Sequence, residues 1–407
     1  MKKKFEYLMV AAAMMAVTFF GCTADGTLTD PTDFAEPLEM TMIFNTSTVT
    51  GSGYKTISMA GTGTVSINWG DGKGKETQRL SSELSEFTHT FAYVNSSRTD
   101  TITITGSNIT HLICNGNRLT SLDVSKIITL RKLDCSDNRI TTLDLSNNTA
   151  LTELTFTSQK NNDGVNQLKI LKVSNTALTE LICSDHAIQT LEVKNNTKLE
   201  KLICNNNSIY SLNVSTNAAL KELNCSYNSI GSLDVSLNTA LTELNCSNNY
   251  LTTLRPNIAL TELNCSNNRL ASLDVGQNTQ LVKLSFTNQR KDGEKTLKTL
   301  KVIKTALTEL NCSGHVIETL ELKDNTKLEK FICSSNYLSS LNVSTNNALA
   351  EVDCSSNTMN STALNSLFKS LPVNDITNKT ITITGNSGSK YDTSLVPQNW
   401  TLIDEGN

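Results

Sequence analysis

Leu220-Lys-Glu-Leu223-Asn-Cys225-Ser-Tyr-Asn228-Ser-Ile230-Gly-Ser-Leu233-Asp-Val235-Ser-Leu-Asn238 is answered 21 residues later by Leu241-Thr-Glu-Leu244-Asn-Cys246-Ser-Asn-Asn249-Tyr-Leu251-Thr-Thr-Leu254. A fixed short period marks a solenoid, in which each repeat buries its apolar face only against its neighbours. The pattern L-x-x-L-x-C-x-x-N-x-L begins at Ile109-x-x-Leu112-x-Cys114-x-x-Asn117 and recurs about twelve times up to Met359. In L-x-C, alternation directs Leu and Cys inward and the residue between them outward. Parallel strands of successive repeats stack at about 4.8 Å, so twelve rungs make a solenoid on the order of 50–60 Å long. The second half of each repeat, such as Leu233-Asp-Val235, reads as a strand lining the other wall. The repeats carry no helical pattern, which predicts a flattened, mainly β cross-section.

The pattern resembles the leucine-rich repeat, with Cys at one of the Leu positions. Cysteines 114, 135, 183, 204, 225, 246, 265, 312, 333 and 354 share that slot, and Phe156 and Phe286 replace Cys twice. Disulfides are the alternative in an exported chain. Parallel neighbours one rung apart point the same way, however, and the dihedral of a disulfide opposes that stacking. The thiols are therefore expected to be buried and to act as small hydrophobes. The Asn of the ninth position (Asn117, Asn138, Asn207, Asn228, Asn249, Asn268, Asn336, Asn357) is expected to bond the backbone of its own turn and of the next rung. Gln159, His186, Gln289 and His315 take its place four times.

A longer period overlies the short one. His186 and His315 are 129 residues apart, as are Cys183 and Cys312, and Asn196-Thr-Lys-Leu-Glu-Lys201 recurs as Asn325-Thr-Lys-Leu-Glu-Lys330. A block of six repeats is duplicated. Each copy carries one insertion, at 159–164 and at 289–293, whose Asn/Asp-Gly ends form turns and predict two projecting loops.

The ends differ in kind. Lys2, Lys3 and Lys4 precede an apolar run from Leu8 to Phe20, too short to span a bilayer comfortably, and Gly21-Cys22 follows. This layout resembles a bacterial lipoprotein signal over residues 1–22, which implies a lipid on Cys22. Residues 23–37, polar with two prolines, read as a linker. Residues 38–106 hold alternating runs (Met40–Phe44, Val65–Trp69, Phe87–Phe91, Thr101–Thr105) separated by glycine-rich turns, which predicts a small sandwich. Trp69-Gly-Asp-Gly72 and His89-Thr-Phe91 resemble the signatures of PKD-type domains. Asp71 there is read as a turn former in preference to a metal ligand. Residues 107–359 form the solenoid. Residues 360–407 read as an α/β cap with a helix Thr362–Leu371 capped by Ser361, a strand Thr380–Thr384 and a coil containing Trp400.

Chemistry has little foothold. Net charge is -4, with no basic excess for nucleic acid. G-x-S-x-G, H-E-x-x-H and P-loop motifs are absent. Cys183-Ser-Asp-His186 and Cys312-Ser-Gly-His315 hint at a metal, but the histidines lie six rungs, about 29 Å, apart and a His bonded to the turn fits better. No catalytic residue, metal or cofactor is assigned. The outward columns instead place Glu222, Glu243 and Glu262 beside Asn224, Asn245 and Asn264, a polar strip suited to a basic peptide or a glycan.

The chain as a whole resembles bacterial cell-surface leucine-rich-repeat lipoproteins with a PKD-like domain before the repeats. That resemblance implies a non-enzymatic adhesin or interaction scaffold, exported and lipid-anchored in the outer membrane or at the cell surface, with a protein or glycan ligand outside the cell. A glycan-binding accessory of a nutrient-uptake system is the alternative, and an enzyme the third.

Overall fold

A computed structural model of the protein describes residues 38–45, 51–93, 99–160, 170–173, 177–291, 294–295, 297, 299–302, 306–388 and 390–405. The signal, Cys22, the linker and most of the first inserted loop lie outside the described residues.

The N-terminal unit is built from β1 (Leu38–Asn45), β2 (Gly51–Asn68), β3 (Lys75–Arg79), β4 (Ser85–Tyr93) and β5 (Thr99–Ile113). All pair antiparallel: β1 with the first half of β5, β2 with β3, β4 and β5. Alternate residues point inward, so Met40, Met42, Phe44, Ile57, Ile67, Phe87, Phe91, Ile102 and Ile104 form one buried core. Gly70 opens the turn after β2 at φ 82°, where an added Cβ would lie 2.3 Å from the Thr101 carbonyl. Only glycine fits that approach.

One strand joins this unit to the repeats. β5 begins antiparallel against β1 and ends parallel, with His111, Leu112 and Ile113 opposite Lys132, Leu133 and Asp134. From there three-residue strands stack in unbroken register, including Glu222–Asn224, Glu243–Asn245 and Glu262–Asn264. The result is a parallel leucine-rich-repeat solenoid. The ten repeat cysteines are free and fully buried, in file with the Leu of each strand. Burying each Leu contributes about 1.5–3 kcal/mol, which is why the short strands need their neighbours to exist at all.

The opposite wall is less regular than the alternation suggests. Ladders form between Ile170–Lys172 and Thr190–Glu192, Ser232–Asp234 and Thr253–Arg255, and Thr299–Lys301 and Thr319–Glu321. Asp123, Asp144, Asp234 and Asp274 each accept the backbone N–H two residues on, which turns the chain after this segment whether or not it pairs as a strand.

The C-terminal cap extends the stack. Helix α1 (Ser361–Ser370) packs Leu364, Leu367 and Phe368 onto the last rungs. Its N-cap is Asn360, whose side chain accepts from the Ala363 N–H at 2.9 Å, and Ser361, expected as the cap, is the first helical residue. Lys379–Thr382 pairs parallel with Glu351–Asp353, and Trp400–Ile403 pairs parallel in turn, so the stretch read as coil is a further rung. Lys379 is fully buried there. Its ammonium donates to the Pro372 carbonyl at 3.0 Å and lies 5.3 Å from the Trp400 ring centre.

Candidate functional site

The turn that ends each groove strand sets the geometry of the site. Two residues after each Cys, or after the Phe replacing it, the backbone turns left-handed, at Asp137, Asp185, Asn206, Tyr227, Asn248, Asn267 and Asn288 among others. Asn and Asp tolerate that conformation, whereas the aromatic Tyr227, at φ 53°, carries strain. The ladder residue follows at once. Asn228 donates to the carbonyls of Cys204 and Cys225 at 3.0 and 3.1 Å and accepts the Ile209 N–H at 2.9 Å. Gln159 and Gln289 repeat the scheme, donating to Cys135 and Cys265 and accepting from Ile140 and Leu270. Asn386 continues it into the cap, a member the repeat spacing did not reveal.

His186 and His315 serve the same turn. Each donates from Nε2 to a carbonyl of the preceding rung, Phe156 at 2.6 Å and Phe286 at 2.7 Å, and lies 5.2 Å from that residue's ring. Burial lowers the His186 pKa below its ordinary value, which favours the neutral ring. Burial also pushes the thiols up, Cys225 to about 12, so they are held as protonated apolar groups rather than reactive ones. Among the described residues no cluster of three metal-ligating side chains occurs.

A shallow groove of about 430 Å³ runs across the strand faces. It brings together all six strip residues, Glu222, Asn224, Glu243, Asn245, Glu262 and Asn264, with Lys283, Ser285, Glu309, Asn311 and Lys330 continuing it. The strip is less acidic than its column of glutamates suggests. Lys201 pairs with Glu222 at 3.1 Å and Lys283 with Glu262 at 3.3 Å, leaving Glu243 as the central carboxylate with no ion pair among the described residues. The Glu222 carboxylate raises the Lys201 pKa, although such half-exposed pairs contribute only about 0–1 kcal/mol to stability. Asn224 and Asn245 accept the N–H and hydroxyl of Ser226 and Ser247, and Asn264 accepts the Ser266 N–H. Their amide oxygens are committed, so these side chains offer a ligand N–H donors. The groove therefore presents a row of donors beside the carboxylates of Glu243 and Glu309, neither of which forms an ion pair among the described residues.

Aromatics flank this row, although the strand columns hold none. Tyr227 and Tyr250 are 58% and 50% exposed at the edge beyond Asn224 and Asn245, and Tyr250 lies 4.4 Å from the Arg269 guanidinium. They sit in turns, outside the alternating pattern from which the strip was read. A third grouping lies in the N-terminal unit. The Asp71 carboxylate accepts from His89 at 2.8 Å and from the Lys73 N–H at 3.1 Å, and Trp69 stacks on His89 at 5.0 Å. Burial opposes ionisation of Asp71, but these donors outweigh it and hold its pKa well below the carboxylate range. Asp71 is thus both a turn former and the partner of His89.

No family model and no curated protein matches the chain. Solved structures do. The functional domain of InlJ from Listeria monocytogenes, which includes a cysteine ladder, is 33% identical with a TM-score of 0.58, and the match covers 68% of this chain and 60% of that one. The chain thus spans less than two thirds of that domain's length. An internalin, inlF, from Listeria monocytogenes str. 4b F2365 is 19% identical with a TM-score of 0.59, covering 73% and 87%. YopM from Yersinia pestis, a leucine-rich effector protein, is 19% identical with a TM-score of 0.51, covering 69% and 73%. The fold is that of these bacterial leucine-rich-repeat proteins. Among the described residues no helix is long and apolar enough to cross a membrane.

Proposed function

We propose that the protein is a non-enzymatic binding scaffold whose groove takes a protein or glycan ligand. The observation that carries this reading is the placement of Glu222, Asn224, Glu243, Asn245, Glu262 and Asn264 in one groove, with amide donors and an unpaired carboxylate facing solvent together. The similarity to InlJ and the internalin fold supports it. A repeated, shallow, polar wall suits recognition over an extended area and lacks the single asymmetric pocket that tuned catalysis requires. Export, lipid attachment at Cys22 and surface display complete the proposal, on the strength of the signal layout. The meeting of Trp69, Asp71 and His89 supports a PKD-like role for the N-terminal unit as a spacer between anchor and groove.

The test is binding of the full chain to protein and glycan arrays, compared with Glu222→Ala/Glu243→Ala/Glu262→Ala. Loss of the leading ligand in the triple variant is expected. An unchanged profile removes the groove from consideration.

A further inference from the structure

The turn that leaves the groove face carries a run of cations, and the run occurs twice. Arg118, Arg139 and Lys160 each follow a ladder residue on three successive rungs. The Arg139 N–H donates to Leu119 at 2.7 Å and the Lys160 N–H to Asn138 at 3.1 Å, so each sits over the rung before it. In the duplicated block, 130 residues on, Arg269 and Arg290 hold the same positions, donating to Leu251 and Asn268 at 2.9 Å each. Tyr250 stands where Arg118 stood and packs against Arg269.

The groove face shows what is unusual here. There, lysines are answered by glutamates one rung away, as in Lys132–Glu153, Lys201–Glu222, Lys283–Glu262 and Lys330–Glu351. Along the turn, no carboxylate among the described residues forms an ion pair with Arg118, Arg139, Lys160, Arg269 or Arg290. The crowding is felt: burial and then Arg118 lower the Arg139 pKa, and burial, Arg118 and Arg139 lower that of Lys55 to about 8. Between the two runs the same column holds Ala187, Ser208 and Ser229, all neutral. The matched cations are six rungs apart, about 29 Å at the strand spacing.

We propose that these two edges together bind a linear acidic polysaccharide bearing sulfates or uronates. Guanidinium forks match the paired oxygens of those groups. A charged sugar chain carries its anions at a spacing comparable to the rung spacing of about 4.8 Å, and it is long enough to engage both edges at once. Duplex DNA is a polyanion of another class, and the test separates it from the polysaccharide. This surface lies on the turns and not in the groove, so its test stands apart from that of the groove.

The full chain, Arg139→Ser/Lys160→Ser, Arg269→Ser/Arg290→Ser and the fourfold variant are titrated with heparin, a polyuronate, neutral dextran and duplex DNA. These side chains are exposed or half-exposed, and an unchanged thermal melt shows that the variants fold. Binding of heparin or the polyuronate is expected, weakening steeply with salt. Each pair substitution should lower affinity on the order of tenfold and the fourfold variant on the order of 100-fold or more, as two-point attachment is lost. The groove variant Glu222→Ala/Glu243→Ala/Glu262→Ala, which removes only carboxylates, should not weaken this binding. Failure of both acidic polysaccharides to bind at low salt overturns the proposal. So does wild-type affinity in the fourfold variant, or tighter binding of duplex DNA or dextran.

Discussion

The rung from Leu220 to Asn238 turns two corners, and both are held by a buried asparagine, yet the two amides do different work. At the corner after the groove strand, Asn228 uses both ends of its amide, donating to Cys204 and Cys225 and accepting from Ile209. At the other corner, Asn238 donates to the Val214 and Asn217 carbonyls at 2.8 and 2.9 Å, while its oxygen accepts nothing. The reason lies in the backbone. The second corner is a tight turn that satisfies its own N–H groups, Asn238 to Val235 and Leu241 to Asn238. The first corner passes through the left-handed residue Tyr227 and leaves the Ile209 N–H of the rung before it unmet by backbone. One corner needs a donor and an acceptor; the other needs only a donor. A buried polar group without a partner costs about 1–3 kcal/mol, so the two corners should not be equally sensitive.

The largest effect is expected for Asn228→Ala. It orphans the Ile209 N–H and removes one of the two donors at the Cys204 and Cys225 carbonyls, which keep Asn207 and Asn249, and it should destabilise the solenoid by about 3 kcal/mol, read by urea denaturation. Asn238→Ala orphans no group, because the Val214 and Asn217 carbonyls keep the Asn217 and Leu220 N–H donors, and its loss should be smaller, about 1–2 kcal/mol for two hydrogen bonds. Equal losses at the two sites would break the comparison. The smallest effect belongs to the rungs that replace asparagine with histidine. His186 has its pKa lowered in the folded chain from 6.5. The unfolded chain therefore binds more protons as pH falls through 6.5 toward that lowered value, and stability is lost over this window and retained above it. His186→Gln should flatten that part of the pH profile of thermal stability. An unaltered slope would show that the ring does not titrate with folding.

Much of this was legible in the column of residues because a solenoid converts sequence period directly into contact. Cys204, Cys225 and Cys246 lie 21 apart and therefore in one internal file, and Asn207, Asn228 and Asn249 follow them. The same column carries Asn196, Asn217, Asn238, Asn325 and Asn346 ahead of a Leu, all fully buried, a second ladder that spacing alone does not reveal. Standing among Ser, Thr and Lys, they look like surface turn formers; only the depth of the corner shows otherwise. Trp400–Ile403 is hidden in the sequence for another reason. It has no repeat around it and becomes a strand because Lys379–Thr382 offers it an edge. In the groove, the register that aligned Glu222, Glu243 and Glu262 was visible, whereas the neutralising reach of Lys201 and Lys283 from the flanking rungs depended on side-chain geometry. Tyr227, Tyr250 and Arg269 stand outside the alternating pattern because they occupy turns.

The upper and lower surfaces of a middle rung are complementary and recur from rung to rung: carbonyls look one way, and the ladder amide looks the other. A block cut out at one rung and pasted in at another therefore meets, at both seams, the surface it left behind. The 129-residue copy within this chain needed no new interface to be accommodated. Length is in this sense a free variable of the architecture, open to change by duplication or loss of whole coils. Only the two ends, where Asn117 grips the Thr56 backbone and Asn386 grips Cys354, are unique parts.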